Sequence, residues 1–274
     1  SSKSKMIKQY PKKILVIGDI FIDRYTYGRV DRMAPDFVGF VFDKLMSVDV
    51  LGGAGNVANN LKTLNPKNEV HLMGNLLDEY DNLSLADETL YLSKETMIKE
   101  RIIVVNNEND ATFDGHKHKL LRIDTLKKFA ISNNGTKIDS DYDVIVYSDY
   151  NKGTIEHTYK HPKVFIDSKR SDLSIYNSIK NPILKINSKE YAKINTLPNN
   201  INDMIITSGK SDMIYISNQI KQTIPIYETK KDPSSFDYNG AGDTFLAALV
   251  NFSHLKPQQS IKLAAVAAAL AVTK

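Results

Sequence analysis

Ile14-Leu15-Val16-Ile17, running straight into Gly18-Asp19, is a block of apolar, mostly β-branched residues with no polar alternation. A strand apolar on both faces belongs inside a parallel sheet covered by other elements, because a strand with one wet face would alternate. Four more runs share the pattern: Val144-Ile145-Val146-Tyr147, Val164-Phe165-Ile166, Ile183-Leu184-Lys185-Ile186 and Met204-Ile205-Ile206. Helical spacing lies between some of them, over 54–64, 83–92, 171–178 and 260–272. This alternation predicts an α/β fold, a doubly wound and mostly parallel sheet flanked by helices. Two segments break the rhythm. Residues 38–50 predict two short strands around Asp43-Lys44, and residues 98–123 predict a second pair, 101–105 and 119–123. Neither is followed by a helix, so both predict a small appended β-sheet.

The 274 residues suffice for one large domain, and 42% hydrophobic with 25% charged residues is a globular composition. A net charge of +4 is mild, suits a small anionic substrate, and gives no argument for nucleic acid. Without cysteine there is no disulfide, thiolate metal site or cysteine nucleophile, which fits a reducing, cytoplasmic setting. Residues 1–12 are polar and basic, with no apolar core, and are expected to be a disordered tail rather than a signal peptide. The longest apolar run, 263–272, is too short to span a membrane.

In an open α/β sheet, ligands collect at the carboxyl ends of the strands. Polar residues follow nearly every predicted strand: Asp19 and Asp23; Asp149; Lys169; Asn187 and Glu190; and Thr207-Ser208-Gly209. Together they suggest one shared crevice, although each taken alone also suits a turn or helix cap. Gly52-Gly53-Ala54-Gly55-Asn56 opens the predicted helix 54–64. Its small residues would let a polyol approach, with the Asn56 amide bonding hydroxyls. A tight helix-packing turn is the alternative.

The segment richest in chemistry is Asp237-Tyr238-Asn239-Gly240-Ala241-Gly242-Asp243, which leads into an apolar helical run. The first N–H groups of a helix lack internal partners and carry partial positive charge, and glycines let an anion come close. An aspartate there repels the anion and is costly unless it has a job, and the job that fits is general base, taking the proton from a hydroxyl that attacks a phosphoryl group. An ordinary capped glycine turn is the other reading. Gly209-Lys210-Ser211 imitates the end of a P-loop, but Met204 stands where the earlier glycine belongs. His116 and His118 lie in a Lys-rich loop with no further ligands at metal-binding spacing.

The Gly52–Asn56 motif, the Asp237–Asp243 motif and the Asn187/Glu190 pair between them, taken in this order, resemble the ribokinase (PfkB) family of carbohydrate kinases. Within that family the chain is most similar to heptose 7-phosphate kinase domains of lipopolysaccharide-precursor synthesis. The match is carried by Gly18-Asp19 with Asp23-Arg24-Tyr25, by Arg32-Met33-Ala34-Pro35-Asp36, by Lys99 and Arg101, and by Ser148-Asp149-Tyr150 with Lys152-Gly153. It runs from about residue 13 to the end. Tyr238 and Asn239 depart from the usual threonines, and no cytidylyltransferase-like second domain is seen.

The resemblance implies a kinase domain over 13–274 with a β-lid from about 24–50 and 97–124. It implies ATP and Mg²⁺, with Asp243 as base and Gly240, Ala241 and Gly242 as anion hole. Asp19, Asp23, Gly52, Gly53, Asn56 and Asp149 would lie against the sugar. Lys99, Arg101, Lys169 and Arg170 would be candidates for a substrate phosphate. Asn187, Thr207, Ser208, Gly209, Gly240 and Gly242 would lie against the nucleotide, with Asn187 and Glu190 on the metal side. The lid would pair in a homodimer. Ribose, fructose or unphosphorylated heptose as substrate, or a catalytically silent binding protein, are the alternatives.

Overall fold

The structure is a computed structural model that describes residues 8–76, 78–93, 95–105, 118–125, 137–138, 141–209, 211–226 and 240–271. In chain order the first strands are β1 (Lys13–Gly18), β2 (Ile20–Met33), β3 (Phe40–Gly53), β4 (Glu69–Asn75), β5 (Glu88–Ser93), β6 (Met97–Val104) and β7 (His118–Asp124). Then come β8 (Val144–Asp149), β9 (Val164–Ser168), β10 (Ile183–Asn187), β11 (Asp203–Ser208), β12 (Ser211–Ser217) and β13 (Ile220–Ile224). The helices are α1 (Ala54–Leu64), the single turn α2 (Ser188–Tyr191), α3 (Ala241–Asn251) and α4 (Pro257–Ala271).

Nine strands form the main sheet in the order β5-β4-β1-β8-β9-β10-β11-β12-β13. Every neighbouring pair from β5 to β11 is parallel, and β12 and β13 close one edge as an antiparallel hairpin. The unbroken apolar runs are the central strands, as their two-faced hydrophobicity requires. In β1, Ile14 and Val16 join the core shared with α1, α3 and α4, while Leu15 and Ile17 point to the other face with Tyr147, Leu173 and Tyr176.

The other four strands form a separate sheet, β3-β2-β6-β7, with β2 antiparallel to β3 and parallel to β6. It is rooted at the carboxyl edge of the main sheet. Asp19 alone separates β1 from β2, and β3 runs directly into α1. Phe37, Val38, Phe40, Leu121 and Ile123 on this part of the chain are exposed.

Several local expectations are corrected. Residues 38–50 do not form two short strands: β3 is one long strand, paired with β2 almost to its tip. The helix expected over 83–92 is a 3₁₀ segment at Asp78–Leu83 followed by β5, which pairs parallel with β4. The helix expected over 171–178 is a short 3₁₀ turn, Ser174–Tyr176, with Leu173 and Tyr176 fully buried. The last helix starts at Pro257, where a missing N–H costs nothing. Of the expected tail, residues 8–12 are packed on the body: the Lys12 N–H donates to Asn68 Oδ1 (3.0 Å) and the Tyr10 ring stands edge-on to His254. Residues 1–7, the loop carrying His116, Lys210 and the Asp237-Tyr238-Asn239 part of the motif lie outside the described residues.

Candidate active site

The site is built around the start of α3. Gly240 caps it in the left-handed region, at φ 81°, and a Cβ there would stand 2.8 Å from Asn56 Nδ2. Both the backbone and the neighbouring side chain therefore call for glycine. The first N–H returned to the helix is that of Thr244, to the Gly240 carbonyl at 3.0 Å. The N–H groups of Ala241, Gly242 and Asp243 precede it and meet no acceptor among the described residues. A Cβ on Gly242 would lie 3.0 Å from Lys185 Nζ, so an ammonium group is stationed beside the same turn.

Asp243, in the first turn, is buried. Its Oδ2 accepts from Asn56 Nδ2 (3.0 Å) on α1, and its Oδ1 accepts from the Tyr150 hydroxyl (3.2 Å) after β8. Burial pushes its pKa up from the ordinary 3.8 to about 6; the Asp167 charge adds to the rise, while Asn56, Lys185 and Tyr150 oppose it. Asn60 Nδ2 reaches both Asn56 Oδ1 (3.4 Å) and Thr244 Oγ1 (3.3 Å), tying α1 to α3. The two glycine motifs, 187 residues apart at Asn56 and Asp243, thus meet directly.

Lys185 is a site residue that motif matching did not single out. It stands in β10 between Leu184 and Ile186, 4% exposed, and donates to Asp167 Oδ2 at 2.8 Å. Asp167 Oδ1 is buried with no partner among the described residues. The signal was present in the sequence: one cation inside an otherwise apolar strand is too costly to bury without a partner and a use.

The strand-end residues do share one edge of the sheet, in several roles. Asp19 is fully buried. Its carboxylate accepts the N–H groups of Tyr150 (2.7 Å), Lys152 (3.3 Å) and Thr154 (3.2 Å), so it shapes the loop after β8. Burial raises its pKa, and the bonds from Thr154 and Tyr150 partly offset the rise. Asp149 is equally enclosed: Arg170 Nε (2.6 Å), the Tyr176 hydroxyl (2.6 Å) and Ser168 Oγ (3.2 Å) all donate to its Oδ2. Arg170 is thereby committed to Asp149.

Asp23 pairs with Arg101 Nη1 at 2.8 Å. Gly52 makes room for it, since a Cβ at 52 would lie 2.1 Å from Asp23 Oδ2. Gly53, at φ 59°, lets the chain turn from β3 into α1 against the Asp19 carbonyl. Lys99 makes no ion pair among the described residues. Its Nζ lies 3.6 Å from the centre of the Phe21 ring, and burial lowers its pKa. Lys169 forms an ion pair with Glu190 and lies 5.3 Å from the Tyr150 ring centre. Burial opposes its charge, yet Asp167, Glu190 and Asp243 together raise its pKa.

Asn187 and Glu190 form a capping box on α2: Asn187 Oδ1 accepts the Glu190 N–H (2.8 Å), and Glu190 Oε2 accepts the Asn187 N–H (3.1 Å). Thr207 lies opposite Asn187 in the β10–β11 register, and Gly209 follows at φ 65° with open space around it. The described residues contain no cluster of three His, Cys, Asp or Glu side chains around one point. A single carboxylate fits Mg²⁺ carried on phosphates through water, and does not fit an all-protein metal cage.

No family model matches the chain. Among curated proteins it is similar to the Bifunctional protein HldE of Sulfurimonas denitrificans, 29% identical across 98% of this chain and 62% of that protein. It is also similar to the Bifunctional protein HldE of Campylobacter fetus, 30% identical across 95% and 63%. The chain thus spans about three fifths of the length of the curated relatives it matches. Among solved structures it superposes on a Methanocaldococcus jannaschii nucleoside kinase described as an archaeal member of the ribokinase family, with a TM-score of 0.63, 14% identity, and coverage of 97% and 93%. It also superposes on Arabidopsis thaliana ribokinase complexed with ribose and ATP, with a TM-score of 0.63, 15% identity, and coverage of 97% and 94%. At these identities the superpositions establish the fold. No described helix is long and apolar enough to cross a membrane.

Proposed function

We propose that the chain is a sugar kinase of the ribokinase (PfkB) family that transfers the γ-phosphoryl group of ATP to a sugar hydroxyl, with heptose 7-phosphate phosphorylated at its anomeric hydroxyl. One observation carries the reading. A buried carboxylate, Asp243, sits in the first turn of a helix whose Ala241, Gly242 and Asp243 N–H groups meet no acceptor among the described residues. Raised to about 6, it is ionised at neutral pH yet basic enough to take a proton in the transition state.

In the step, the sugar oxygen bonds to the γ-phosphorus as the bond to the bridging oxygen of the departing ADP breaks, and the hydroxyl proton passes to Asp243. The three N–H groups hold the negative charge that develops, each such donor typically being worth about 3 kcal/mol. Lys185, anchored by Asp167, adds positive charge beside Gly242. When bound, Mg²⁺ neutralises phosphate charge, and Asn187 with Glu190 would hold it through water. Thr207, Ser208 and Gly209 line the nucleotide side of this edge.

Asn56, Asp23, Gly52 and Gly53 border the sugar side. Lys99, which makes no ion pair among the described residues and lies over the Phe21 ring, and Lys169 are the cations placed to take the sugar's own phosphate. Asp19, Asp149 and Arg170 serve by shaping this edge. The β2/β3/β6/β7 sheet would cover the crevice. Its exposed Phe37, Val38, Phe40, Leu121 and Ile123 support pairing with a second copy of the chain.

The test is ADP release by purified protein with ATP, Mg²⁺ and each of heptose 7-phosphate, heptose, ribose and fructose. Turnover with heptose 7-phosphate at a kcat/KM well above the others, abolished in Asp243→Asn, supports the reading. Binding of ATP without turnover on any sugar refutes it.

A further inference from the structure

Tyr150 is the first residue after β8, and three separate contacts fix it. Its N–H donates to the buried Asp19 carboxylate at 2.7 Å. Its ring stands edge-on to Phe21, with centroids 4.8 Å apart, and the ammonium groups of Lys99 (5.2 Å) and Lys169 (5.3 Å) lie near its centre. Its hydroxyl ends on Asp243 Oδ1, while Asn56 holds Oδ2 from the opposite helix. Resting on the phosphoryl-transfer reading above, we propose that Tyr150 is a positioning residue: with Asn56 it clamps the Asp243 carboxylate by both oxygens and fixes its rotation beside the anion turn.

The chemistry follows from counting acceptor sites. A carboxylate offers about four lone-pair directions, and one donor on each oxygen leaves one free on each. A carboxylate held by a single donor swings broadly about its last torsion. Held by two donors from two different elements, it presents the remaining lone pairs in one orientation, which proton transfer over hydrogen-bond distance requires. Burial, followed by the Asp243 charge, keeps the phenol proton far more tightly bound than usual, so the hydroxyl donates at every working pH. Among the described residues the charged groups acting on Asp243 are Asp167, Lys185 and Lys169, and removing the Tyr150 hydroxyl alters none of them.

Tyr150→Phe deletes that hydroxyl and keeps both the ring and the backbone bond to Asp19. The expected result is a thermal midpoint close to wild type, a kcat lower by about tenfold, and KM values for ATP and sugar phosphate within about twofold. The acid limb of the kcat profile should move to higher pH, because a bond favouring the ionised base is gone. A ¹³C-carboxyl titration of Asp243, assigned by its loss in Asp243→Asn, should show the same upward movement without any substrate. An unshifted titration, or an unchanged kcat and limb, overturns the proposal. A raised sugar KM with kcat and limb unchanged overturns it too, making Tyr150 a substrate contact. Wild-type protein that phosphorylates no sugar sinks the kinase reading instead, and the titration still decides whether Tyr150 acts on Asp243. If Tyr150→Phe unfolds, Phe21→Leu, which loosens the ring's seat while keeping the hydroxyl, should shift the titration in the same direction, and no shift refutes the clamp.

Discussion

Replacing Asp243 by Asn is expected to stabilise the protein and silence it at once. In the native state the carboxyl titrates near 6, against 3.8 when unfolded, so between those values the folded chain holds the extra proton. Stability therefore falls as pH rises through this window, and above about pH 6 the whole cost of burying the charge is carried. At about 1.4 kcal/mol per pH unit that cost is about 3 kcal/mol.

An amide carries no such penalty. With its oxygen toward Asn56, its NH₂ faces the Tyr150 hydroxyl, which can rotate to accept. Most of the cost is then recovered, a gain of about 2 kcal/mol, equivalent to a rise in melting temperature of roughly 4–8 °C for a chain of this size. Differential scanning fluorimetry and urea unfolding at about pH 8 should show the variant ahead, with the lead gone near pH 4 where both side chains are neutral. Turnover at neutral pH should fall by at least about 100-fold, the lower range for a lost general base. A variant no more stable than wild type at pH 8, or a lead that does not vary with pH, refutes the account of a desolvated, charged Asp243.

Three other substitutions probe the surroundings. Lys185→Met strands the Asp167 carboxylate in the interior and should cost about 3–5 kcal/mol in urea unfolding, with Lys185→Met/Asp167→Leu regaining most of it; equal stability of the two would contradict the buried pair. Gly52→Ala puts a methyl where Asp23 Oδ2 now lies, so sugar KM should rise about tenfold or more with kcat less affected, and an unchanged KM would remove Asp23 from the sugar side. Asp19→Asn weakens the hold on the Tyr150, Lys152 and Thr154 N–H groups and should cost about 1–2 kcal/mol with a matching loss of kcat, whereas a selective rise in sugar KM would show Asp19 to be a ligand after all.

The central strands were legible because their physics is local: Ile14–Ile17 and Val144–Tyr147 are apolar on both faces and can only be interior. The start of α3 was legible for the same reason, since glycines at 240 and 242 beside an acid state a backbone requirement. Residues 83–92 were misread because leucines at 83, 85, 90 and 92 suit more than one period; pairing of 88–93 with β4 decided the matter, and pairing is not written locally. The length of β2 and β3 was hidden likewise, because each finds its polar partners in the other: Arg24 is bound by Asp49 and Thr26 by Ser47. Position alone brought Asp19 and Asp149 to the carboxyl edge of the sheet, without showing their protein partners. Those partners are N–H groups, hydroxyls and an arginine up to 135 residues away, which no motif specifies.

The proton affinity of Asp243 comes first from dryness, and only secondarily from charge. It therefore has a built-in dependence on occupancy: a crevice that floods returns the carboxyl toward its behaviour in bulk solvent, where it is a feeble acceptor. A stray solvent molecule entering in place of an alcohol weakens the very group that would activate it. Discrimination against wasteful hydrolysis can thus arise from solvation alone, without a residue dedicated to that purpose.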